Sequence, residues 1–285
     1  MFIRSLWLLT AAGVLAAQDL PVRWDELVAS DWKKAIELSH GTCLLPIGIL
    51  EKHGPHVPVG SDLFHATYIS REVAKREYVV VFPEYFFGQI YEAKHGEGTV
   101  ALPPALISEL LQATLDEIAR NGFKKILIYS THGGNPHWLR FFIQSQLDKR
   151  RDYVAYYYDP QPDTAFIEQY AKLRKTPLRG DEHAGERETS SMLAIRPDLV
   201  KMDRAVREDG SDRNRLADLP NIWTATSWYA RFPNHYAGVG AAASAEEGKV
   251  LLEHAIQMLA KAVRGVKNDE TTPRIQKENY DRQLK

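Results

Sequence analysis

Two carboxylates and two imidazoles crowd into one short loop, Glu51-Lys52-His53-Gly54-Pro55-His56-Val57-Pro58-Val59-Gly60-Ser61-Asp62. Charged side chains of this kind gather around positive charge. Glu51 and His53 stand two apart, so an extended backbone points them to the same side. Carboxylate with imidazole suits Zn or Mn. Asp62, beyond the turn, can return a third ligand to the same point. The loop reads as half of a metal site, and the rest of the chain must supply the other half.

Two further segments carry the same chemistry. Ser130-Thr131-His132-Gly133-Gly134-Asn135-Pro136-His137 follows a strand-like run, Ile126 to Tyr129. It precedes a helical run from about Trp138 to Lys149, with Pro136 suited to the first helical turn. A histidine at a strand end, before glycines and a helix start, sits where α/β proteins bind ligands, at the carboxyl ends of the strands. The second segment, Asp181-Glu182-His183-Ala184-Gly185-Glu186-Arg187-Glu188-Thr189-Ser190, again flanks an imidazole with carboxylates.

Together these segments resemble the signature blocks of the creatininase (creatinine amidohydrolase) family. The family pattern is an E-x-H-G-x-H-x-P loop ending in Asp, a strand ending in an N-G-H-G-G-N-like turn, and H-x-G-E-x-E-T-S. Here the blocks read Glu51 to Asp62, Ser130 to Asn135 and His183 to Ser190. His95-Gly96-Glu97-Gly98-Thr99 is similar to the family's H-x-x-G-T element, and Ala243 to Gly248 to the segment before its last helix. The blocks keep family order and span roughly Leu44 to Val263.

The resemblance implies a three-layer α/β/α fold with a mostly parallel central sheet. It also implies two divalent metal ions per chain, zinc foremost, with Mn and Fe as alternatives. Glu51, Asp62 and His132 would hold one ion, and His53, Asp62 and Glu186 the other, with Asp62 bridging. Creatininase itself carries a metal-binding glutamate two residues after the turn histidine. This chain has Gly134 there, and Glu186 of the H-x-G-E block stands in, as in other members; creatinine as substrate is thereby put in question. The expected reaction is hydrolysis of a C–N bond in a cyclic or linear amide by a metal-activated water.

His183 is the expected acid/base for the leaving nitrogen, because imidazole titrates near neutral pH; Glu182 is the alternative proton carrier. Glu188 and His137 are expected to orient ligands. His56 is expected to be structural, His95 to line the pocket or pack in a loop, and His40, His235 and His254 to lie at the surface or in the core. Competing readings are peptide cleavage at the same centre and a non-catalytic metal-binding role. Family members commonly form homo-oligomers, often hexamers.

Each block needs an element to deliver it. A strand over Thr42 to Ile47 carries Glu51 and His53 to its end, and a helix follows from about Leu63 to Glu77. A strand Tyr78 to Phe82, a helix capped by Ser108 and stopped by Gly122, and a short apolar strand Lys124 to Ser130 come next. A helix to Arg151, a strand Tyr153 to Tyr158, a helix from Glu188 to Ile195 and a last helix from Ala245 to Val263 complete the pass. A further helix is expected from Trp24 to Leu38, either continuous or broken near Ser30-Asp31. Alternating strands and helices argue for a layered α/β fold with a mostly parallel sheet. The aromatic-rich stretch from Asp203 to Tyr236 reads as a packed surface loop, or as a substrate lid or subunit contact.

The chain has 285 residues, 44% of them hydrophobic, enough to bury a large core as a single domain over 18–266. The formal net charge of -1 and the absence of a basic cluster argue against nucleic-acid binding. Arg4, an apolar run from Leu6 to Ala17 and the small residues ending it read as a signal peptide over 1–17, too short to anchor the chain in a bilayer. Export to the periplasm or outside the cell is therefore expected. Cys43 is the one cysteine and reads as a buried strand residue rather than a nucleophile. The tail, 267–285, is polar and is expected to be extended or partly disordered unless a partner subunit orders it. The expected partner is a small amide or short peptide substrate.

Overall fold

The computed structural model describes residues 20–283; the signal peptide expected at 1–17 lies outside them. Four strands make the central sheet: β1 (Thr42–Ile47), β2 (Val80–Val81), β3 (Lys125–Ser130) and β4 (Val154–Tyr157). Their order is β2-β1-β3-β4, and every pairing is parallel. β1 and β3 run side by side from Thr42 opposite Lys125 to Ile47 opposite Ser130, so their carboxyl ends coincide. The helices are α1 (Trp32–Leu38), α2 (Ser61–Arg76), α3 (Pro104–Arg120), α4 (Asn135–Ser145), α5 (Thr164–Ala171), α6 (Glu186–Ile195), α7 (Ser227–Arg231), α8 (Ala245–Lys267) and α9 (Thr271–Gln283).

Alternate strand residues face opposite sides, and here both sides are apolar. Cys43, Leu45 and Ile47 of β1, with Ile126 and Ile128 of β3, pack against Leu111, Leu115 and Ile118 of α3 and Leu139 and Phe142 of α4. Leu44, Leu127 and Tyr129 face the other way, onto Ile69 and Val73 of α2 and Leu252, Ile256 and Leu259 of α8. Helices on both faces make the expected three-layer α/β/α fold. Among the described residues no helix is long and apolar enough to cross a membrane.

Three elements differ from expectation. α3 begins at Pro104, four residues ahead of Ser108, because a proline in the first turn needs no N–H partner; the Ser108 hydroxyl instead donates to the Pro104 carbonyl at 3.0 Å. The helix expected from Trp24 starts only at Trp32, after two 3-10 turns, and the Trp24 ring packs edge-on against Trp32 with centroids 4.6 Å apart. The tail is not extended. α9 folds back so that Tyr280 is buried and its hydroxyl donates to the Gln146 carbonyl at 2.9 Å.

Two contacts set the geometry that matters for chemistry. A Cβ at position 48 would collide with the backbone of Leu63, so the chain leaving β1 lies against the first turn of α2. The Thr131 hydroxyl, just past β3, donates to the Asp62 carbonyl at 2.8 Å. The ends of β1 and β3 and the start of α2 therefore meet at one place.

Candidate metal centre

Glu51, Asp62 and His132 converge there. Each offers one nitrogen or oxygen, and the three atoms lie within 4.8 Å of one another. His132 Nδ1 is 2.7 Å from Glu51 Oε1 and 3.2 Å from Asp62 Oδ2. His53 Nε2 faces the other Asp62 oxygen, Oδ1, at 3.5 Å. All four residues are buried.

The tautomers follow from the outer partners. His132 Nε2 lies 2.9 Å from the Gln89 carbonyl, and a carbonyl only accepts, so Nε2 carries the proton and Nδ1 presents its lone pair inward. His53 Nδ1 likewise faces the Glu51 carbonyl at 3.2 Å, which leaves His53 Nε2 free. Glu51 Oε1, His53 Nε2 and Asp62 Oδ2 are buried without a hydrogen-bond partner. Buried polar atoms are almost always paired. Three unpaired atoms from three residues, aimed at one space, are what a bound cation satisfies, and carboxylates with imidazoles form a donor set that suits a divalent ion such as Zn or Mn.

The electrostatics agree. Burial works against a charged His53, but Asp62, Glu51 and Glu188 outweigh it and raise the imidazole to about 10. His132 is held well above its usual range in the same way, burial being outweighed by Glu51 and Asp62. Burial would raise Glu51, yet His132 and His183 pull it well below the carboxylate range. The pocket draws positive charge, as protons or as metal.

Glu186 is not part of this group. Its carboxylate accepts from Lys175 N at 2.7 Å, Thr176 N at 2.9 Å and Thr176 Oγ1 at 2.5 Å, and it lies 3.3 Å from Arg174 Nη2. Glu188 reaches the centre instead: its Oε2 is 3.8 Å from His53 Nε2 and 3.8 Å from His183 Nδ1. Both sit in the first turn of α6. Residues two apart on a helix point about 200° apart, so only one can face the site. Glu188, expected to orient ligands, stands where Glu186 was expected.

His183 belongs to the same cluster. It arrives on the loop before α6, pinned by paired backbone bonds between His183 and Ala237. Ala184 beside it takes a left-handed φ of 53°, and its N–H donates to Glu188 Oε2 at 2.7 Å. His183 Nε2 donates to the Lys52 carbonyl at 2.8 Å, so its free nitrogen is Nδ1. Burial lowers the imidazole below its usual value, against the pull of Glu51. Glu182 does not accompany it; both carboxylate oxygens accept from Arg231, at 2.9 and 2.6 Å.

His235, read from sequence as a surface or core residue, is buried with its Nε2 2.5 Å from Glu51 Oε2. Its only sequence signal is a histidine in a Pro-Asn turn beside aromatics, which does not distinguish it. His95 lies in a loop, its Nε2 donating to the Pro233 carbonyl at 2.9 Å, with its ring edge-on to Tyr229. The aromatic stretch thus reaches the site through His235 and through Trp228, whose ring is edge-on to His183 with centroids 6.1 Å apart.

Comparison with known proteins fits this architecture. The creatininase family model, described as creatinine amidohydrolase, matches residues 26–263. The chain is 30% identical over 254 residues to a creatinine amidohydrolase of Pseudomonas putida, covering 84% of this chain and 95% of that protein. It is 28% identical over 173 residues to a mycofactocin precursor peptide peptidase of Mycobacterium ulcerans (strain Agy99), covering 56% of this chain and 61% of that one. Two solved creatininases, one with Mn and one mutant of Zn–Zn type, superpose at a TM-score of 0.72, with 25% and 26% identity and coverage of 87% of this chain and 99% of theirs. The chain belongs to the creatininase family.

Proposed function

We propose that this protein is a metal-dependent amidohydrolase that cleaves a C–N bond of a small amide with water as nucleophile. The observation that carries the reading is the convergence of unpartnered buried donor atoms on Glu51, His53 and Asp62. Glu51, Asp62 and His132 would hold one ion, and His53, Asp62 and Glu188 the other. Asp62 would bridge, because one of its oxygens faces His132 and the other His53. Divalent ions held there would supply Lewis acidity toward water and a carbonyl oxygen.

The protein's own groups do the rest. His183, with Nε2 donating to the Lys52 carbonyl and Nδ1 free, can take a proton at Nδ1 and pass it to the leaving nitrogen. The Lys52 carbonyl and the Glu188–Ala184 bond hold its ring in place. Burial excludes bulk water and strengthens each charge interaction.

A substrate other than creatinine is favoured by Gly134. A Cβ at this position would run into the His132 ring and stand 3.1 Å from Glu92 Oε1, so the glutamate of creatininase has no room here. Peptide hydrolysis is the second reading, supported by the likeness to a peptidase. Residues 1–17 support export, which would bring peptides within reach.

A panel of creatinine, lactams, linear amides, short peptides and aryl phosphates, with Zn or Mn supplied, tests the reading. Amide or peptide turnover is expected, and Asp62→Ala should lower kcat/KM by on the order of 1000-fold, since metals contribute several kcal/mol to the transition state. Metal binding without turnover on any amide, or full activity in Asp62→Ala, would overturn it.

A further inference from the structure

We propose that His235 is a positioning residue for Glu51, with its proton placed by Trp228, so that the aromatic segment above the site sets the affinity of the metal centre. This rests on the reading of Glu51 as a metal ligand. An indole N–H can only donate. Trp228 Nε1 donates to His235 Nδ1 at 2.9 Å, so Nδ1 is an acceptor and the imidazole proton sits on Nε2. That N–H points at Glu51 Oε2, 2.5 Å away. One Glu51 oxygen is thereby committed, and the other, Oε1, is left unpartnered and turned toward His132 Nδ1.

Burial and strain support the assignment. His235 and Glu51 are 2% and 1% exposed, so neither has water as an alternative partner. His235 holds a left-handed φ of 51°, a conformation costly for a residue with a Cβ. Trp228 is braced by the Phe232 ring at 4.9 Å, and the His235 N–H donates to the Phe232 carbonyl at 3.0 Å. His235 also lies within 4.8 Å of Glu51 and His183 as a possible third ligand. The fixed tautomer argues against that role, because no lone pair of its ring faces the cluster.

Hydrogen-bond partners of metal ligands typically govern affinity by about 10–100-fold. The test is a chelator-competition titration with Zn alone on the full chain. His235→Ala should weaken one Zn site about 10–100-fold and leave the other unchanged. His235→Gln, which can accept from the indole or donate to Glu51, should recover part of the loss. Trp228→Phe, which frees the tautomer, should fall between the two. Equal affinities in wild type and His235→Ala would overturn the proposal.

A second readout needs neither metal nor a variant of His235. In the metal-free 15N-labelled protein, His235 should be the Nε2–H tautomer, and Trp228→Phe should release it. An Nδ1–H tautomer in wild type overturns the positioning role whatever the metal data show. Failure of wild type to bind Zn, with the tautomer as expected, instead overturns Glu51 as a ligand and with it the effect on affinity.

Discussion

At the residue scale the chemistry turns on which nitrogen or oxygen is left free. His183 has its Nε2 proton committed to the Lys52 carbonyl, so Nδ1 is the nitrogen free for the proposed proton transfer. His183→Ala should lower kcat by roughly 100- to 10000-fold while leaving metal content unchanged, as steady-state kinetics with elemental analysis would show. Loss of the metal together with the rate would make His183 a ligand instead. Glu51, His53, Asp62 and His132 were legible as a group because the loop after β1 and the carboxyl end of β3 lie side by side, where α/β folds place ligands. The carboxylate facing the site from this block was read as Glu186, whereas the structure turns Glu188 toward His53 and His183, since a motif spells residue order but not which side of a helix faces the centre. His235 was missed because its contact with Glu51 joins segments 184 residues apart.

At the scale of elements, the loop from Lys172 to Gly185 delivers His183, and a buried network anchors it. Arg174 Nη2 meets Asp181 Oδ2 at 2.6 Å, with side chains 1% and 3% exposed. The same guanidinium pairs with Glu186 and donates to the Tyr170 hydroxyl at 3.2 Å. Tyr170 in turn donates to Glu247 Oε1 at 2.6 Å, at the start of α8. Arg174→Ala would leave two buried carboxylates without their cation. It should destabilise the fold by about 3–5 kcal/mol, read from denaturant midpoints, and a change below ~1 kcal/mol would contradict this account. The network accounts for Glu186, acidic and in the expected motif, being turned away from the cluster and onto Arg174 and Thr176. Nothing in its sequence spacing reveals Arg174, which a helix-to-loop turn brings underneath it.

At the scale of the whole molecule, two buried histidines outside the Glu51–Asp62–His132 group should make stability fall in acid. His56 Nε2 donates to Thr189 Oγ1 at 2.9 Å, and its Nδ1 is unpartnered. Burial, aided by His53, lowers His56 from 6.5 to about 4. Burial lowers His65 to about 4 as well, against the pull of Asp62 and Glu188. With folded values below unfolded ones, the unfolded chain takes up protons that the native state refuses. The stabilisation is full above about pH 6.5 and is lost as pH falls through about 4. The slope should reach about 1.4 kcal/mol per pH unit for each histidine. Glu188, drawn down to about 2 by His183 and Arg187 despite burial, acts only at lower pH. Urea denaturation at several pH values between 7 and 4 checks this, and a flat profile would contradict it. The layered fold was legible from alternating apolar strands and amphipathic helices. The folding-back of α9 was not, because its composition is polar and only Tyr280 buries deeply.

The most direct measurement is metal content per chain, by elemental analysis, for wild type, Glu188→Gln and Glu186→Gln purified without chelator and loaded with Zn. About two ions are expected in wild type and in Glu186→Gln, and about one in Glu188→Gln. Full loading of Glu188→Gln with loss in Glu186→Gln, or an empty wild type, would contradict the proposed ligand set.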